Sequence, residues 1–505
     1  MQPMSAPYRG GPPDIIMAVD PRLSLVALNR FGLGAMPGEL ARVGSDPRGF
    51  VLAQLSPAAV RPLADVAGFP PLQDSSRNLV DARRFENERR AAKLAQAAMA
   101  AAAPGVNMQD ETNARTMQPP SGAMAGGSLA PPPKQPEPPE QAAFRAEVVA
   151  RFARLLGTEN GLVERLTLFW SNHFAVSAAK GPGLRMLCGS FEREAIRPFV
   201  LGRFGDMLKA VEQHPAMLYY LDNHQSVGPT SKGGQNGKRG LNENLAREIL
   251  ELHTLGVDGG YGQADVTSLS RIITGWTVTS PDEDLLHGGR FTFAPARHEP
   301  GDHVVLGKTY MQDDQRQGEA VLADLAVHPA TARRVARKLA THFVADQPPK
   351  MLVDRLAKTF LDSKGDLAAV TRVLVSAPEA WSAPAAKLRT PQDFLIAAFR
   401  ATGKTPDPGA VTGVLQVMGQ PLWQPIGPNG FSDQSAEWAS PEGVSARLDA
   451  AAQWGRQNAK LDPQALLETT IGPAASAETR QAVARAESRA QAVALVFMSP
   501  EFQRR

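Results

Sequence analysis

The chain has one cysteine among its 505 residues, few aromatic residues and almost no excess of charge of either sign. The lone Cys188 excludes an intramolecular disulfide and a metal centre built from several thiolates, and it is predicted to be a buried thiol. With 54 basic and 51 acidic residues, the net charge of +3 predicts no nucleic-acid partner. Since no uninterrupted apolar run reaches about 18 residues, the sequence predicts no membrane span.

The first residues also lack the marks of an export signal. No basic start precedes a long apolar run, and there is no twin-arginine pair. Residues 1–20 are therefore predicted to be a flexible N-terminus, and this feature alone predicts a cytoplasmic location.

The length and composition predict a globular protein with a sizeable core. Apolar residues make up 43 % of the chain and aromatic residues only 6 %, and alanine-rich stretches favour helix over sheet. The predicted fold class is mainly α, a multi-helical body with a small β-hairpin and a long disordered insertion. Residues 21–103 form the predicted N-terminal helical unit and residues 141–505 the main body, the two packing as one domain.

Three segments interrupt the helical pattern. Residues 104–140 are rich in Pro, Gly and Ala with almost no large apolar side chains, which predicts a disordered insertion. Residues 226–240 carry Lys232, Lys238 and Arg239 without an acidic residue, which predicts an exposed, mobile, basic loop. Apolar residues alternate within 290–310, which predicts a small hairpin.

The segment NENLAREILELHTLGVDGGY contains the most informative predicted helix, residues 243–255. Asn242 is a good N-cap and Gly256 a good C-terminal stop. At 100° per residue, Asn244, Glu248 and Glu251 share one polar face, with Arg247 at its edge. That face is either a structural polar network or a ligand site, and both interpretations remain open.

Histidines near other helix ends offer metal ligands or proton-transfer groups. WSNHF contains His173, YYLDNH contains Asp222, and His253 lies in the last turn of the predicted helix, where capping alone explains it. The residues predicted for catalysis are Glu248, Glu251, His253, His173 and Asp222. Those predicted for binding are Trp170, Asn172, Asn223, Asn242, Asn244, Arg247 and Trp276.

The hairpin motif HEPGDH contains His298, Glu299 and His303, a candidate divalent-metal loop. It is not the zinc-protease helix motif, because its two histidines are five apart and Pro300 and Gly301 force a turn. A hydrogen-bonded turn is the alternative. The cofactor is therefore unknown, with a divalent metal as the candidate.

Several familiar signatures are absent. KGGQNGKRG lacks the spacing of a phosphate-binding loop, GVDGGYG lacks that of a dinucleotide-binding turn, and no G-x-S-x-G elbow occurs. The sequence thus holds no nucleotide-binding motif. Trp423, Trp438 and Trp454 either line a groove or lock an irregular loop onto the body, the second being favoured. The basic residues of TARRVARKLATHF are expected to form a solvated helix face.

Recognisable motifs extend along most of the chain, among them ALNRFGLGAMPGE, LTLFWSNHFAVS, NENLAREILELHTLGVDGGY, ITGW, RHEPGDHVVLGK and KLRTPQDFL. Together they resemble the bacterial family catalogued as domain of unknown function 1800. His303 and Gly262 stand where the family usually has a basic residue and Thr or Ser. The resemblance implies a protein partner similar to phosphatases and sulfatases, and a periplasmic location, since family members often carry export signals.

Three functional hypotheses follow. The first is a helical accessory protein that binds a partner of the phosphatase/sulfatase superfamily. The second is a metal-assisted hydrolase centred on helix 243–255. The third is a protein that binds cell-envelope polysaccharide through its aromatic C-terminal segment. The sequence does not decide whether the chain is an enzyme.

Overall fold

A computed structural model describes residues 20–102, 137–237, 240–282, 284, 286, 288–382 and 385–505 of the chain. The predicted flexible residues 1–20 and the predicted insertion 104–140 lie almost entirely outside the described residues. At the end of the predicted insertion, however, a helix already begins at Pro139, two residues before the predicted start of the main body.

The described chain is mainly α-helical, as predicted. In the first half the helices are α1 Pro21–Val26, α2 Glu39–Val43, α3 Pro47–Leu52, α4 Ser75–Ala102, α5 Pro139–Gly157, α6 Gly161–His173, α7 Pro182–Phe191, α8 Phe204–Glu212, α9 Pro215–Tyr220, α10 Asn244–Glu248 and α11 Gln263–Ile272. In the second half they are α12 Asp314–Ala326, α13 Pro329–Phe343, α14 Lys350–Asp362, α15 Leu367–Ser376, α16 Glu379–Ser382, α17 Pro391–Thr402, α18 Pro408–Val417, α19 Ser435–Trp438, α20 Pro441–Gln457, α21 Pro463–Thr470, α22 Ala477–Ala484, α23 Arg489–Met498 and α24 Pro500–Gln503.

Many of these helices begin with the same local chemistry, a short polar cap followed by proline. Asp46 accepts a hydrogen bond from the Gly49 amide before α3, and Ser440 accepts one from Gly443 before α20. The side chain satisfies a backbone donor that the helix leaves unpaired, and proline at the first position lacks a donor to lose. The starts of these helices can therefore be predicted from the sequence.

Among the described residues, three segments form π-helix: Ala27–Phe31, Glu192–Ile196 and Ile249–Thr254. The last of them corrects the predicted helix 243–255, which is an α-helix only as far as Glu248. A π-helical turn holds more residues than an α-helical turn, so the 100° spacing used to place side chains fails beyond that point. The predicted stop at Gly256 is confirmed, since its φ is 92°.

The strands are few and short. β1 Trp276–Val278 pairs antiparallel with β2 Phe291–Phe293, and β3 His303–Val305 pairs antiparallel with β4 Lys308–Tyr310. The predicted hairpin over residues 290–310 is thus corrected to β3 and β4, while β2 pairs with a strand that precedes it. The predicted basic loop 226–240 is also anchored. The Gly228 amide donates to the Arg297 carbonyl at 2.8 Å, and Ser226 is buried.

The hydrophobic core is continuous from Ala27 to Phe502. Helix pairs such as α13 with α14, α5 with α7 and α20 with α23 pack along it. Buried ion pairs join distant parts of the chain: Arg400 reaches Glu39 at 3.1 Å, and Arg165 reaches Asp393 at 3.2 Å. Across the described residues, no helix combines the length and the apolar character needed to span a membrane. The proposed division into two packed units stays a prediction.

Candidate functional site

His253 lies inside the core and not at an exposed helix end. Its side chain is fully buried, and Nδ1 lies 2.8 Å from Oε1 of Glu212, which is equally buried. His253 lies within the π-helical turn and is buried, which corrects the expectation that it caps the helix. Instead, the Nε atom of Arg334 donates to the Leu252 carbonyl at 3.1 Å and supplies the cap.

Two other predicted residues converge on His253. The Nε2 atom of His173 lies 3.1 Å from the His253 carbonyl, and Trp170 packs against the His173 ring at 5.2 Å between centroids. Burial lowers the pKa of His173 well below its usual range, so the ring is neutral and donates from Nε2. The sequence anticipated this cluster but not Glu212, whose position in α8 carries no motif.

The predicted polar face of α10 is only partly covered. Burial raises the pKa of Glu248, and Glu251 accepts a hydrogen bond from the Tyr261 hydroxyl at 3.2 Å. Arg247 pairs with Glu243 one turn earlier, the favourable order for a helix. At the start of the helix Asn242 Oδ1 accepts from the amide of Asn244, whose side chain is exposed.

The residues predicted from YYLDNH and ITGW have structural partners. Asp222, at a φ of 59°, forms an ion pair of 2.7 Å with Lys180. Asn223 is buried and donates through Nδ2 to the carbonyls of Ile273 and Trp276 at 3.2 and 3.1 Å. Trp276 is fully buried and packs against Phe291 across β1 and β2. These contacts hold the first sheet against the helices.

Residues of the predicted metal loop also form hydrogen bonds with the rest of the protein. His298 Nδ1 lies 3.1 Å from the Thr274 carbonyl, and Glu299 Oε2 accepts from the Thr230 amide at 2.8 Å. Burial lowers the pKa of His303, which lies on β3. Among the residues that the structure describes, no group of three or more His, Cys, Asp or Glu side chains is placed to hold a metal ion. Their role as metal ligands stays a prediction.

The predicted residues therefore do not share one cavity, and a polar pocket lies elsewhere. It is bounded by α6, α13, the start of α17 and residues 421–434, and its cavity volume is about 70 Å³. None of the predicted catalytic residues lines it, and Asn172 is the predicted binding residue that does. Its polar lining includes Arg151, His342, Gln392, Asp393, Gln420 and Asp433.

Residues 421–434 form one wall of this pocket and are held at both ends. The Ala178 amide donates to the Trp423 carbonyl at 2.8 Å, and Ser177 Oγ donates to the Pro425 carbonyl at 3.0 Å. At the other end Asn172 exchanges two hydrogen bonds of 2.8 Å with the backbone of Phe431. The wall is therefore fixed even though it is irregular.

Trp423 itself adopts a strained conformation, with a φ of 51° in the left-handed region. A bulky residue persists there only when its surroundings over-determine it, and such strain clusters at functional sites. Trp423, Trp438 and Trp454 are all buried, at 8, 8 and 5 % exposure. Trp423 packs against Phe144 of α5 and lines the pocket, whereas Trp438 packs against Phe431 of its own segment and Trp454 lies in α20. A shared role of the three indoles in locking the irregular segment onto the body stays a prediction.

His342 and Asp433 form a hydrogen-bonded pair in the pocket. Nδ1 of His342 lies 2.8 Å from Oδ1 of Asp433, and the histidine is 7 % exposed. Burial lowers the pKa of His342 to about 4, and the hydrogen bond from His342 together with the charge of Lys338 holds the pKa of Asp433 at about 2. The ring is therefore neutral and donates from Nδ1 to the carboxylate. Nε2 keeps its lone pair and has no partner among the described residues.

Arg151 carries a hydrogen-bond donor without an acceptor. Its Nε and Nη2 atoms donate to both carboxylate oxygens of Glu192, at 2.9 and 2.7 Å, and its guanidinium stacks on Trp423 at 4.9 Å. Nη1 is buried with no acceptor among the residues that the structure describes. The pocket thus combines an unsatisfied donor with an unsatisfied acceptor.

Asp393 closes the floor of the pocket as part of a buried charge cluster. Arg165 Nη1 lies 3.2 Å from its Oδ1, and Arg505 Nε lies 3.0 Å from its Oδ2. Both guanidinium groups hold the pKa of Asp393 far below its usual range. The carboxylate therefore stays ionised and connects α17 to Arg165 of α6 and to Arg505.

Only some of the basic residues of α13 form the expected solvated face. Arg333 and Arg337 are exposed, whereas Arg334, Lys338 and His342, spaced four apart, turn toward the body. Arg334 and Lys338 are partly covered and His342 is buried. The four-residue spacing was the signal that could have identified His342. The sequence alone does not show, however, which basic face of the helix packs against the body.

The lone thiol matches its prediction. Cys188 is fully buried on α7, and burial raises the pKa of the thiol. Such a thiol is a poor nucleophile. Cys188 therefore packs in the core.

The fold and the pocket define a mainly helical globular protein whose polar, half-enclosed cavity is walled by an irregular segment. The chain belongs to the DUF1800 family, described as a protein of unknown function, whose family model matches residues 26–504. Comparisons with curated proteins and with solved structures gave no match.

Proposed function

We propose that this protein is an enzyme that binds a small polar molecule in the pocket and uses His342 as a general base. One observation carries the proposal. Two buried atoms of opposite hydrogen-bonding character, Arg151 Nη1 and His342 Nε2, belong to side chains that line the same cavity, and both lack partners among the described residues. A buried polar atom without a partner destabilises the fold, and a bound substrate offering an acceptor and a donor removes that cost.

The chemistry assigned to each residue follows from its contacts. Nε2 of His342 accepts a proton from a substrate hydroxyl or from a water molecule, because Nδ1 already holds the other proton against Asp433. Asp433 then stabilises the imidazolium that forms, as the carboxylate of a catalytic triad does. Arg151 binds an acceptor oxygen of the substrate, with Glu192 and Trp423 fixing its plane.

The test compares wild-type protein with His342→Gln in a mixture of cellular metabolites followed by mass spectrometry. Wild type should deplete a metabolite and release its product, and the variant should lose this turnover by roughly 10²- to 10⁴-fold. His328→Asn is the matched control, because His328 caps the same helix outside the pocket. Identical metabolite profiles for wild type and His342→Gln would contradict the proposal.

The sequence-based alternatives stay predictions. Co-purification with a phosphatase- or sulfatase-like protein tests the accessory role, and metal analysis of untagged protein tests a site at His298, Glu299 and His303. The polysaccharide hypothesis has lost its structural support, since its three tryptophans are buried and a glycan needs an exposed ring face. Both the cytoplasmic and the periplasmic location remain open to a fractionation experiment.

A further inference from the structure

A second and larger cavity lies between α1, the π-helix Ala27–Phe31, α16 and α24. Its cavity volume is about 760 Å³, and no described residue lines both this cavity and the pocket that contains His342. Cavities that bind small organic molecules in proteins usually have about 300 to 1,000 Å³. The size of the second cavity therefore fits an organic ligand.

Much of the described lining of this cavity is apolar. Leu25 and Ile471 are buried, and Trp381 is 6 % exposed. The indole of Trp381 donates from Nε1 to the Val375 carbonyl at 2.5 Å, and the ring of Phe31 lies 5.1 Å from it between centroids. The wall is thus fixed before a ligand arrives. It favours a ligand with an apolar body, because burial of apolar surface is favourable.

The charged groups of the cavity are mostly cationic. Its described lining includes four arginines and two acidic residues, which are Arg22, Arg30, Arg504, Arg505, Asp20 and Glu501. Both acidic side chains already have donors from the protein. Asp20 accepts from the Arg22 amide at 2.9 Å, and Glu501 accepts from the Ser476 amide at 2.9 Å. The lining therefore favours an anion over a cation.

Two of these arginines, Arg30 and Arg505, are buried, at 1 and 3 % exposure. Arg30 Nη1 donates to the Ala380 carbonyl at 2.6 Å. Arg505 Nε lies 3.0 Å from Oδ2 of Asp393, a carboxylate that Arg505 shares with Arg165. Nη1 of Arg505 is buried and has no acceptor among the residues that the structure describes. A buried donor without an acceptor costs free energy, and a bound anion removes that cost.

Asn29 adds a further polar group to the lining. Its Oδ1 accepts from Arg389 Nη2 at 2.9 Å, so the group it offers to a ligand is the Nδ2 donor. Asn29 and Arg30 both lie in the π-helix Ala27–Phe31, and π-helical turns often occur at functional sites. The polar end of the cavity thus presents donors.

We propose that this cavity is a binding site for an amphiphilic oxyanion, whose carboxylate or phosphate binds Arg505 while its apolar body packs against Trp381 and Ile471. A guanidinium group offers donors in a planar arrangement that matches such an oxyanion, and charge-assisted hydrogen bonds of this kind are strong. The site goes beyond the proposed function, since it needs neither His342 nor Arg151.

The experiment titrates the full-length protein with octanoate and, separately, with octyl phosphate, by calorimetry at pH 7. At least one of them should bind saturably, and the tighter of the two identifies the anionic group. Acetate, inorganic phosphate and 1-octanol each carry only part of the proposed ligand and should bind at least roughly 10-fold more weakly. The proposal is overturned if neither amphiphile binds saturably, or if 1-octanol binds as tightly as both.

Two substitutions locate the binding. Ala474 is an exposed residue of the lining, so Ala474→Trp should obstruct the cavity, leave the buried charges unchanged and weaken binding by roughly 10-fold or more. Arg505→Gln should weaken binding by roughly 10- to 100-fold. Ala477→Trp is the matched control, because Ala477 is exposed and lies outside the described lining. Wild-type affinity in Ala474→Trp would overturn the proposal even if Arg505→Gln fails to fold.

A second readout uses the indole of Trp381. Bromine quenches the fluorescence of a tryptophan that it contacts, so octanoate brominated on its chain should quench the wild-type protein. The Trp381→Phe variant should bind the same ligand with a smaller loss of fluorescence. Equal quenching in the two proteins would place the apolar body elsewhere and overturn the proposed site.

Discussion

The side-chain amide of Asn172 forms two hydrogen bonds of 2.8 Å with the backbone of Phe431, which lies 259 residues later in the sequence. Nδ2 donates to the Phe431 carbonyl, and Oδ1 accepts from the Phe431 amide. Asn172 lies on α6, near the end of a regular helix, and Phe431 lies in the irregular wall of the pocket. A rigid element thus positions a segment that has no regular structure of its own. The pocket depends on this pairing.

Replacing Asn172 by alanine should release the wall. Both hydrogen bonds are lost, and the Phe431 amide and carbonyl lose their partners, so the free energy of unfolding should fall by about 1 to 3 kcal/mol. Urea unfolding measures the loss, and Asn429→Ala, in the same segment but exposed, should leave stability within about 0.5 kcal/mol. An equal effect of the two substitutions would show that the Asn172 bonds do not hold the segment.

The same wall requires glycine at position 430. Gly430 has a φ of 73°, and a Cβ there would lie 2.3 Å from the Asn172 carbonyl oxygen. Gly430→Ala should therefore destabilise the protein by more than about 2 kcal/mol, through left-handed strain and the collision with the helix backbone.

Gly413→Ala supplies a control of opposite sign. Gly413 lies in α18, and an added Cβ meets no atom within 4 Å. Alanine is the better helix former, so this variant should gain about 0.5 to 1 kcal/mol. Thermal unfolding of both variants checks the pair. If Gly430→Ala is neutral or stabilising, the glycine requirement is refuted.

The sequence predicted the helical class and the stop at Gly256, because caps, proline and glycine act over a few residues. It failed within the predicted helix 243–255. Nothing in the local sequence predicts the π-helical turn from Ile249, in which His253 and Thr254 are buried. The predicted polar face, which included Glu251, therefore holds only as far as Glu248.

The candidate site could be predicted only in fragments. Asn172 was identified from its motif, but His342 appeared as one member of a basic helix and Asp433 as a residue of a loop. They are 91 positions apart, and only the folded chain brings them to 2.8 Å. Spacing arguments work inside one helix and carry no information about contacts of this range.

A further prediction separates buried from exposed ion pairs. Arg400 and Glu39 are nearly inaccessible, at 1 and 3 % side-chain exposure, and they connect α17 to α2. Glu39→Ala leaves the Arg400 charge buried without its counter-charge and should cost about 3 to 5 kcal/mol. Arg42 and Glu159 are 44 and 66 % exposed, so Glu159→Ala should cost less than about 1 kcal/mol. If chemical unfolding shows similar losses of unfolding free energy for Glu39→Ala and Glu159→Ala, the predicted difference between buried and exposed ion pairs is wrong.

Finally, the neutrality of buried His342 makes stability depend on pH in a defined window. Its pKa is about 4 in the folded protein against an ordinary value of 6.5, so between these pH values the unfolded chain binds the extra proton. The stabilisation that comes from neutral His342 is present above pH 6.5 and is lost as pH falls toward 4, with a ceiling of about 3 kcal/mol.

The His342→Gln variant tests this dependence. Its glutamine cannot titrate, so its free energy of unfolding should change less than that of wild type from pH 7 to pH 4. His173, whose pKa is lowered too, is retained in both proteins and cancels in the comparison. Parallel stability curves for the two proteins would show that His342 is not held neutral by burial.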